Sequence, residues 1–434
     1  MAATYDLMVI GDDAPSLCAA AAAAQSGAAT ALAATGAVTF GGPSVCDIPN
    51  AVWRRLDLQS FGLDTDPVSA RITLFANGES TATFQKTDDT ANALRETDSE
   101  AAALWPDLVD DFRVLGDASA NSGASGATTM LAQLDSRRAF VDLGRLTGSG
   151  SELIDDYING SPLKAHVKAH ALAPFGLGGE EAGSAEALPD FFDEYAWRVR
   201  AKSGARSVIG ALRKACEVYG VDAASASVER ANADGAKHNS ILFGNGEKIR
   251  TRYIFFASPD AAEAAGYDAA GATASANGGR AVMRLKLRDT VEPPAGDARA
   301  LFQVIDDGSA MKNAREDALT GRISDALPVE FEFTDKGDIV ARTSYIPAQL
   351  QEEGEWRDWT GQDRQMLSST IVNRLASRID GLHGKIKKTD LKIISQAGAE
   401  KNKFSDAQNI IVQPRRHNAT AAAIALIDKV LADD

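Results

Sequence analysis

The residues best spaced for chemistry lie at the start of the chain, in Gly11-Asp12-Asp13-Ala14-Pro15-Ser16. A dinucleotide fingerprint uses a first glycine for the tight turn, a second for close approach of backbone to the diphosphate, and a third for helix–sheet packing. Gly11 keeps the first place, while Asp13 holds the second and Ser16 the third. Serine is small enough for its place. Aspartate adds both bulk and charge where a phosphate would rest. Two unit charges about 5 Å apart repel by roughly 3 kcal/mol at an effective dielectric of about 20, which is on the order of a hundredfold in affinity. Up to residue 53 the chain carries Asp6, Asp12, Asp13 and Asp47 and no cation, and Pro15 offers no N–H. A helix amino terminus attracts an anion through its unpaired N–H groups. Asp13 is expected to be that anion, capping a helix that begins at Ala14-Pro15.

Other candidate groups read as structural. His166 and His170 stand four apart in HVKAH, but Val167 occupies the place where a zinc-protease pattern needs glutamate. A surface or helix-packing role is expected for both. His417 is expected at the surface, and Ser203-Gly204 lies in no nucleophile elbow. Asp88-Asp89, Asp110-Asp111 and Asp155-Asp156 read as solvated helix faces or caps. Trp356 and Trp359 are the best candidates for an exposed aromatic contact, with packing the favoured role. Cys18, Cys46 and Cys216 are scattered, Cys18 in an alanine-rich helix where a buried thiol is expected. No disulfide framework or thiolate metal site follows, and a reducing cytoplasm is the expected compartment.

Composition sets the limits. A length of 434 residues allows two or three domains, and 44% hydrophobic with 24% charged residues is ordinary for a globular protein. A net charge of −15 argues against nucleic-acid or anionic-membrane partners. The cluster Lys385, Lys387, Lys388 reads as a solvated patch. No apolar run reaches the length of a membrane span, and with Arg54 the first cation no basic leader is expected.

The elements that must position these residues follow from periodicity. YDLMVI (5–10) reads as a buried parallel strand, 15–26 as a helix ending at Gly27, and ATALAA (29–34) as the next strand. FGGPS (40–44) makes a glycine turn. From about 85 to 200 the pattern is helical, interrupted by GDASANSGASGATT (116–129), expected as a loop. ARSVIGALRKACEVYG is an amphipathic helix closed by Gly220. SASVERANA, SILFG and RTRYIFFAS then form a meander through DGAK and NGEK turns. After 270 come AVMRLKLRD, LFQVIDD and PVEFEFTDKGDIVARTSYIP, a helix at 361–380, the strand LKIISQ, and a closing strand and helix in NIIVQPRRHNATAAAIALIDKVL.

This order of parts resembles the flavin-containing amine oxidase and phytoene desaturase superfamily, in its pyridine nucleotide-disulphide oxidoreductase-like branch. The likeness runs through YDLMVIG, Gly41-Gly42, SGARSVIGALRKACEVYGV, NGEKIRTRYIFFASP and the closing strand–helix pair. It implies an α/β fold with a discontinuous Rossmann-type FAD/NAD(P)-binding domain and an α+β substrate domain. The former would comprise residues 1–84, 201–268 and 405–434, the latter 85–200 and 269–404. In the family, FAD takes hydride from amines or apolar polyenes, and its contacts must be sought one by one. The ribose-binding acid at the end of the second strand falls on Ala34, beside Thr35. The double glycine Gly41-Gly42 is flanked by Phe40 and Pro43 where relatives place an arginine. The glycine-rich carboxy-terminal turn reads Gln413-Pro414-Arg415-Arg416. Val228, at the adenine-holding place, is retained.

Together these departures point to a degenerate cofactor site with no cofactor favoured. The expected function is a pseudoenzyme that binds or scaffolds a protein partner, such as an active paralogue, or an apolar small molecule. GDP-dissociation inhibitors of small GTPases give the precedent of this fold used without flavin. The alternative is an FAD-dependent oxidoreductase with an atypical pocket, its phosphates neutralised by Arg415 and Arg416.

Overall fold

Four consecutive apolar residues, Leu7–Ile10, are buried on both faces of the strand Ala3–Ile10 (β1), as a central parallel strand requires. The computed structural model describes residues 3–11, 13–33, 45–46, 50–125, 148–193, 197, 199–202, 205–235, 237–256, 262, 267, 278–394 and 410–412. The described chain divides into two compact units, one of residues 1–66, 198–274 and 396–434, the other of 67–197 and 275–395.

In chain order the elements that matter below begin with β1, the helix Ala14–Gln25 (α1) and the strand Thr30–Ala33 (β2). Next come the strands Arg71–Leu74 (β3) and Ser80–Thr83 (β4), then the helices Ser99–Ser125 (α2), Ser161–Ala171 (α3) and Ala205–Tyr219 (α4). The meander follows as Val228–Asp234 (β5), His238–Phe243 (β6) and Lys248–Phe256 (β7). Gly278–Leu287 (β8), Leu301–Val304 (β9), the helix Ala310–Leu319 (α5), Val329–Phe333 (β10) and Ile339–Pro347 (β11) come after it. The helix Gly361–Ala376 (α6), Ile386–Ile394 (β12) and Ile410–Val412 (β13) complete the set.

The first unit is a Rossmann-type sheet ordered Asp222–Ala223, β2, β1, β7, β6, β5. β1 runs parallel to both β2 and β7. Along its other edge β7 takes β6 antiparallel near its start and β13 parallel at its end. Gly235 and Gly246 adopt positive φ in the two meander turns, as the DGAK and NGEK signals require. α1 is fully buried from Ser16 to Ala23. Its alanines let it lie close between the sheet and α4, where the Cys216 thiol donates to the Leu17 carbonyl at 3.4 Å. Cys18 and Cys216 are both buried, and burial pushes the Cys216 thiol up to about 12.

The second unit is an α+β body whose sheet is ordered β12, β8, β11, β10, β9, β3, β4. One face carries Ile72, Met283, Phe302, Phe331 and Ala341 against Leu367, Ile371 and Leu375 of α6. α6 begins with a capping box in which Thr360 and Asp363 satisfy each other's backbone N–H.

Three expectations change. The first Rossmann segment is shorter than 1–84, because Arg71–Leu74 pairs parallel with β9 and so commits β3 and β4 to the second sheet. The expected loop at 116–129 is helical through Ser125, since α2 propagates one hydrogen bond per residue from its apolar first half. Finally, the strand expected at LKIISQ starts earlier, at Ile386, so Lys387 and Lys388 lie within it.

Candidate functional site

The turn from β1 into α1 is built within six residues. Gly11 has φ +145°, a region side chains rarely enter, and its N–H donates to the Ala33 carbonyl at 2.8 Å. A Cβ added there would lie 2.2 Å from Ser16 Oγ. Ser16 therefore fills the close approach that the third fingerprint position provides. It is fully buried, and its Oγ has no hydrogen-bond partner among the described residues. Asp13 is extended (φ −80°, ψ 169°) and caps α1, its Oδ1 accepting from the Ser16 N–H at 2.9 Å. The Asp13 carbonyl accepts from Leu17 N–H at 3.0 Å. α1 has no acidic residue in its first turn and no basic residue in its last.

Of the four donors at a helix start, one is thus taken by the carboxylate and one is missing at Pro15. Val228, on β5, shares a buried cluster with Ile10 and Ala33. The structure accordingly brings Gly11, Asp13, Ser16 and Val228 into one unit. Asp12, Ala34, Thr35, Gly41, Gly42, Gln413, Arg415, Arg416 and His417 lie outside the described residues.

A second group of polar residues lies buried in the other unit; its two histidines stood out in the sequence, while Arg71, Thr73 and Thr83 gave no local signal. His166 of α3 joins the β3–β4 hairpin through both ring nitrogens, Nδ1 at 2.9 Å from Thr73 Oγ1 and Nε2 at 3.0 Å from Thr83 Oγ1. His170 is buried beside it, with ring centroids 4.7 Å apart. Packing thus occupies both histidines, and neither is at the surface. Arg71 is 2% exposed; its guanidinium lies 4.3 Å over Trp197 and 4.7 Å over Phe191, and donates to the Phe191 carbonyl at 2.7 Å. The same rings line a narrow crevice with Thr83, Phe84 and Trp105. Trp359 packs against the core, donating to the Pro347 carbonyl at 3.1 Å, whereas Trp356 is 53% exposed. Among the described residues no set of three or more His, Cys, Asp or Glu is placed to hold a metal ion, and no helix is long and apolar enough to cross a membrane.

Burial holds the His166 imidazole well below its usual range, and the nearby His170 and Arg71 add to the shift. A histidine depressed in the folded state binds fewer protons there than in the unfolded chain. Its favourable contribution is complete above the unfolded pKa of about 6.5 and is lost as pH falls below it. Urea midpoints followed between pH 7.5 and 5 are expected to fall, with a slope of up to ~1.4 kcal/mol per pH unit from this group. His166→Gln should flatten that slope. An unchanged slope in the variant would assign the acid sensitivity to other groups.

Comparison with solved structures places the architecture. A triple mutant of putrescine oxidase, made to redesign cofactor binding, matches at TM-score 0.56 with 12% identity, covering 99% of each chain. The chain has the fold of the amine oxidases. Cyclohexylamine oxidase from Brevibacterium oxydans matches at TM-score 0.53 and 10% identity over 99% of both chains. A Rab GDI from Plasmodium falciparum matches at TM-score 0.50 and 10% identity, over 100% of this chain and 99% of its own. No family model matches the chain, and no curated protein matches it.

Proposed function

We propose that this chain uses the amine-oxidase fold without a dinucleotide at the α1 turn, as a non-catalytic binding or scaffolding protein. One observation carries the reading: the Asp13 carboxylate accepts the Ser16 N–H at 2.9 Å. A diphosphate bound there needs the same donor, and it would meet a fixed negative charge. With Pro15 lacking an N–H, the described residues of this turn do not fit an FAD pyrophosphate. The ligand proposed in its place is a protein partner, an active paralogue among the options, or an apolar small molecule. The similarity to a Rab GDI supports this reading, because it sets a similar fold beside a protein that is not named as an oxidase.

The test is the flavin content of the protein purified from a flavin-replete host. Absorbance near 450 nm is expected to be absent, and stoichiometric, tightly held flavin would reject the proposal. Asp13→Gly removes the charge while costing the cap only a few tenths of a kcal/mol. It is expected to tighten binding of added FAD at least tenfold; unchanged affinity would mean that Asp13 is not what excludes the phosphate.

A second reading is an FAD-dependent oxidoreductase, of amine oxidase or desaturase type, with an improvised pocket. The positive φ of Gly11 and the small Ser16 favour it, because they keep the backbone shape of the phosphate turn. It requires cations from elsewhere, Arg415 and Arg416. Replacing both with alanine would then abolish flavin retention.

A further inference from the structure

The last strand of the second sheet brings together charges that are far apart in the sequence. β12 pairs with β8 on one side, and no described strand lies along its other side. The antiparallel register sets Lys388 opposite Lys286, Asp390 opposite Arg284 and Lys392 opposite Val282. Their neighbours in sequence, Met283, Leu285 and Leu391, face the apolar core. The outward face of this edge therefore shows Arg284, Lys286, Lys388 and Lys392, all exposed, with Lys387 and Arg288 exposed beside them. Asp338 binds Arg284 at 3.0 Å, and Asp390 is the one acid within the strand pair. On a chain of net charge −15, this is a basic island formed by two strands about a hundred residues apart.

We propose that the open edge of β12 is a docking site for an acidic, extended segment of a partner protein, which adds to the sheet as a further strand. The edge offers a row of backbone N–H and C=O groups that only another extended polypeptide can satisfy in register. Lysines on such an edge oppose pairing with a second copy of the chain, which would set lysine against lysine. An acidic strand reverses the sign of that interaction. The alternation also sets the partner's pattern. Glutamates four residues apart would face Lys388 and Lys392, and β-branched apolar residues at the intervening inward positions would extend the row of Leu391 and Ile393. A nucleic acid or anionic membrane matches the charge but cannot continue the hydrogen-bond ladder. This surface lies outside the α1 turn and does not depend on whether a flavin is held.

The experiment uses a fluorescent, acetylated peptide with valine at alternate positions and glutamate and threonine taking turns between them, so that threonine falls opposite Asp390. It is titrated into the full chain and followed by anisotropy. Hydrogen exchange of the amides of residues 386–394 is measured alongside. Binding is expected, with slowed exchange confined to 386–394, and it should weaken about tenfold as salt rises from ~50 to ~300 mM. The Lys388→Glu/Lys392→Glu variant should weaken it at least tenfold and instead take up an alternating lysine–valine peptide. Circular dichroism checks that this variant remains folded. A peptide N-methylated on alternate residues should not bind. Absence of binding, equal binding of the N-methylated peptide, protection at some other segment, or insensitivity to the charge reversal would each overturn the proposal. Preferential binding of single-stranded DNA or phosphatidylserine vesicles over the peptide would overturn it as well.

Discussion

Arg342→Met is expected to destabilise the second unit by about 3–5 kcal/mol, the usual cost of removing one partner from a buried ion pair. Arg342 projects from β11, and its two terminal nitrogens bond separately to Glu330 and Glu332 of β10. The Glu332 side chain is 2% exposed, so water cannot replace the guanidinium there. Methionine keeps most of the arginine's apolar stem and removes its charge. The two carboxylates, one residue-pair apart on the same strand face, are then left to repel each other. Four of the five tryptophans, Trp105, Trp197, Trp356 and Trp359, belong to this unit, so urea unfolding followed by tryptophan fluorescence reports on it. Neutralising both acids in the triple variant Glu330→Gln/Glu332→Gln/Arg342→Met should recover most of the loss. A single variant within about 1 kcal/mol of the parent would show that the pair contributes little net stability.

Gly11→Val is the second large effect expected, at about 3 kcal/mol or more in the first unit. A φ of +145° costs a side-chain-bearing residue about 1–3 kcal/mol in strain, and forcing atoms into a filled space adds about 1–3 kcal/mol. The space is filled by one neighbour, Ser16, whose Oγ would sit 2.2 Å from the new Cβ. The two contributions separate in a double-mutant cycle. Ser16→Gly should relieve the clash in Gly11→Ala but leave the dihedral strain, giving a favourable coupling between the positions. Exchange protection of the β1 and α1 amides is the readout, because it resolves the first unit from the second. Full protection in Gly11→Val would mean that the turn relaxes, and the close packing of strand, turn and helix would not be what holds it.

What could be read before the structure was whatever depended on neighbours in sequence. Gly11, Asp13, Pro15 and Ser16 act on one another within six positions, so the strand, the turn, the cap and the start of the helix followed from residue type and spacing. The meander was legible for the same reason, as two glycine turns of positive φ between alternating strands. Where composition stood in for interaction, the reading missed: small polar residues at 116–125 looked like a loop, yet they continue a helix already nucleated by the apolar residues before them.

The sequence by itself determined an α/β chain opening on a Rossmann-type turn with an acid at its second glycine position, because those features are local. The tertiary structure decided the rest. It took β3 and β4 from the first unit to the second sheet, through a parallel pairing of Arg71–Leu74 with strand residues more than two hundred positions away. It placed His166 between two threonines 93 and 83 positions distant, deciding for packing between the surface and helix-packing roles that the sequence left open. It also set the cations of β8 beside those of β12. Each of these depends on strand register, and a shift of one residue would send every side chain to the opposite face. No local preference specifies that register; the match of apolar faces across the whole sheet does.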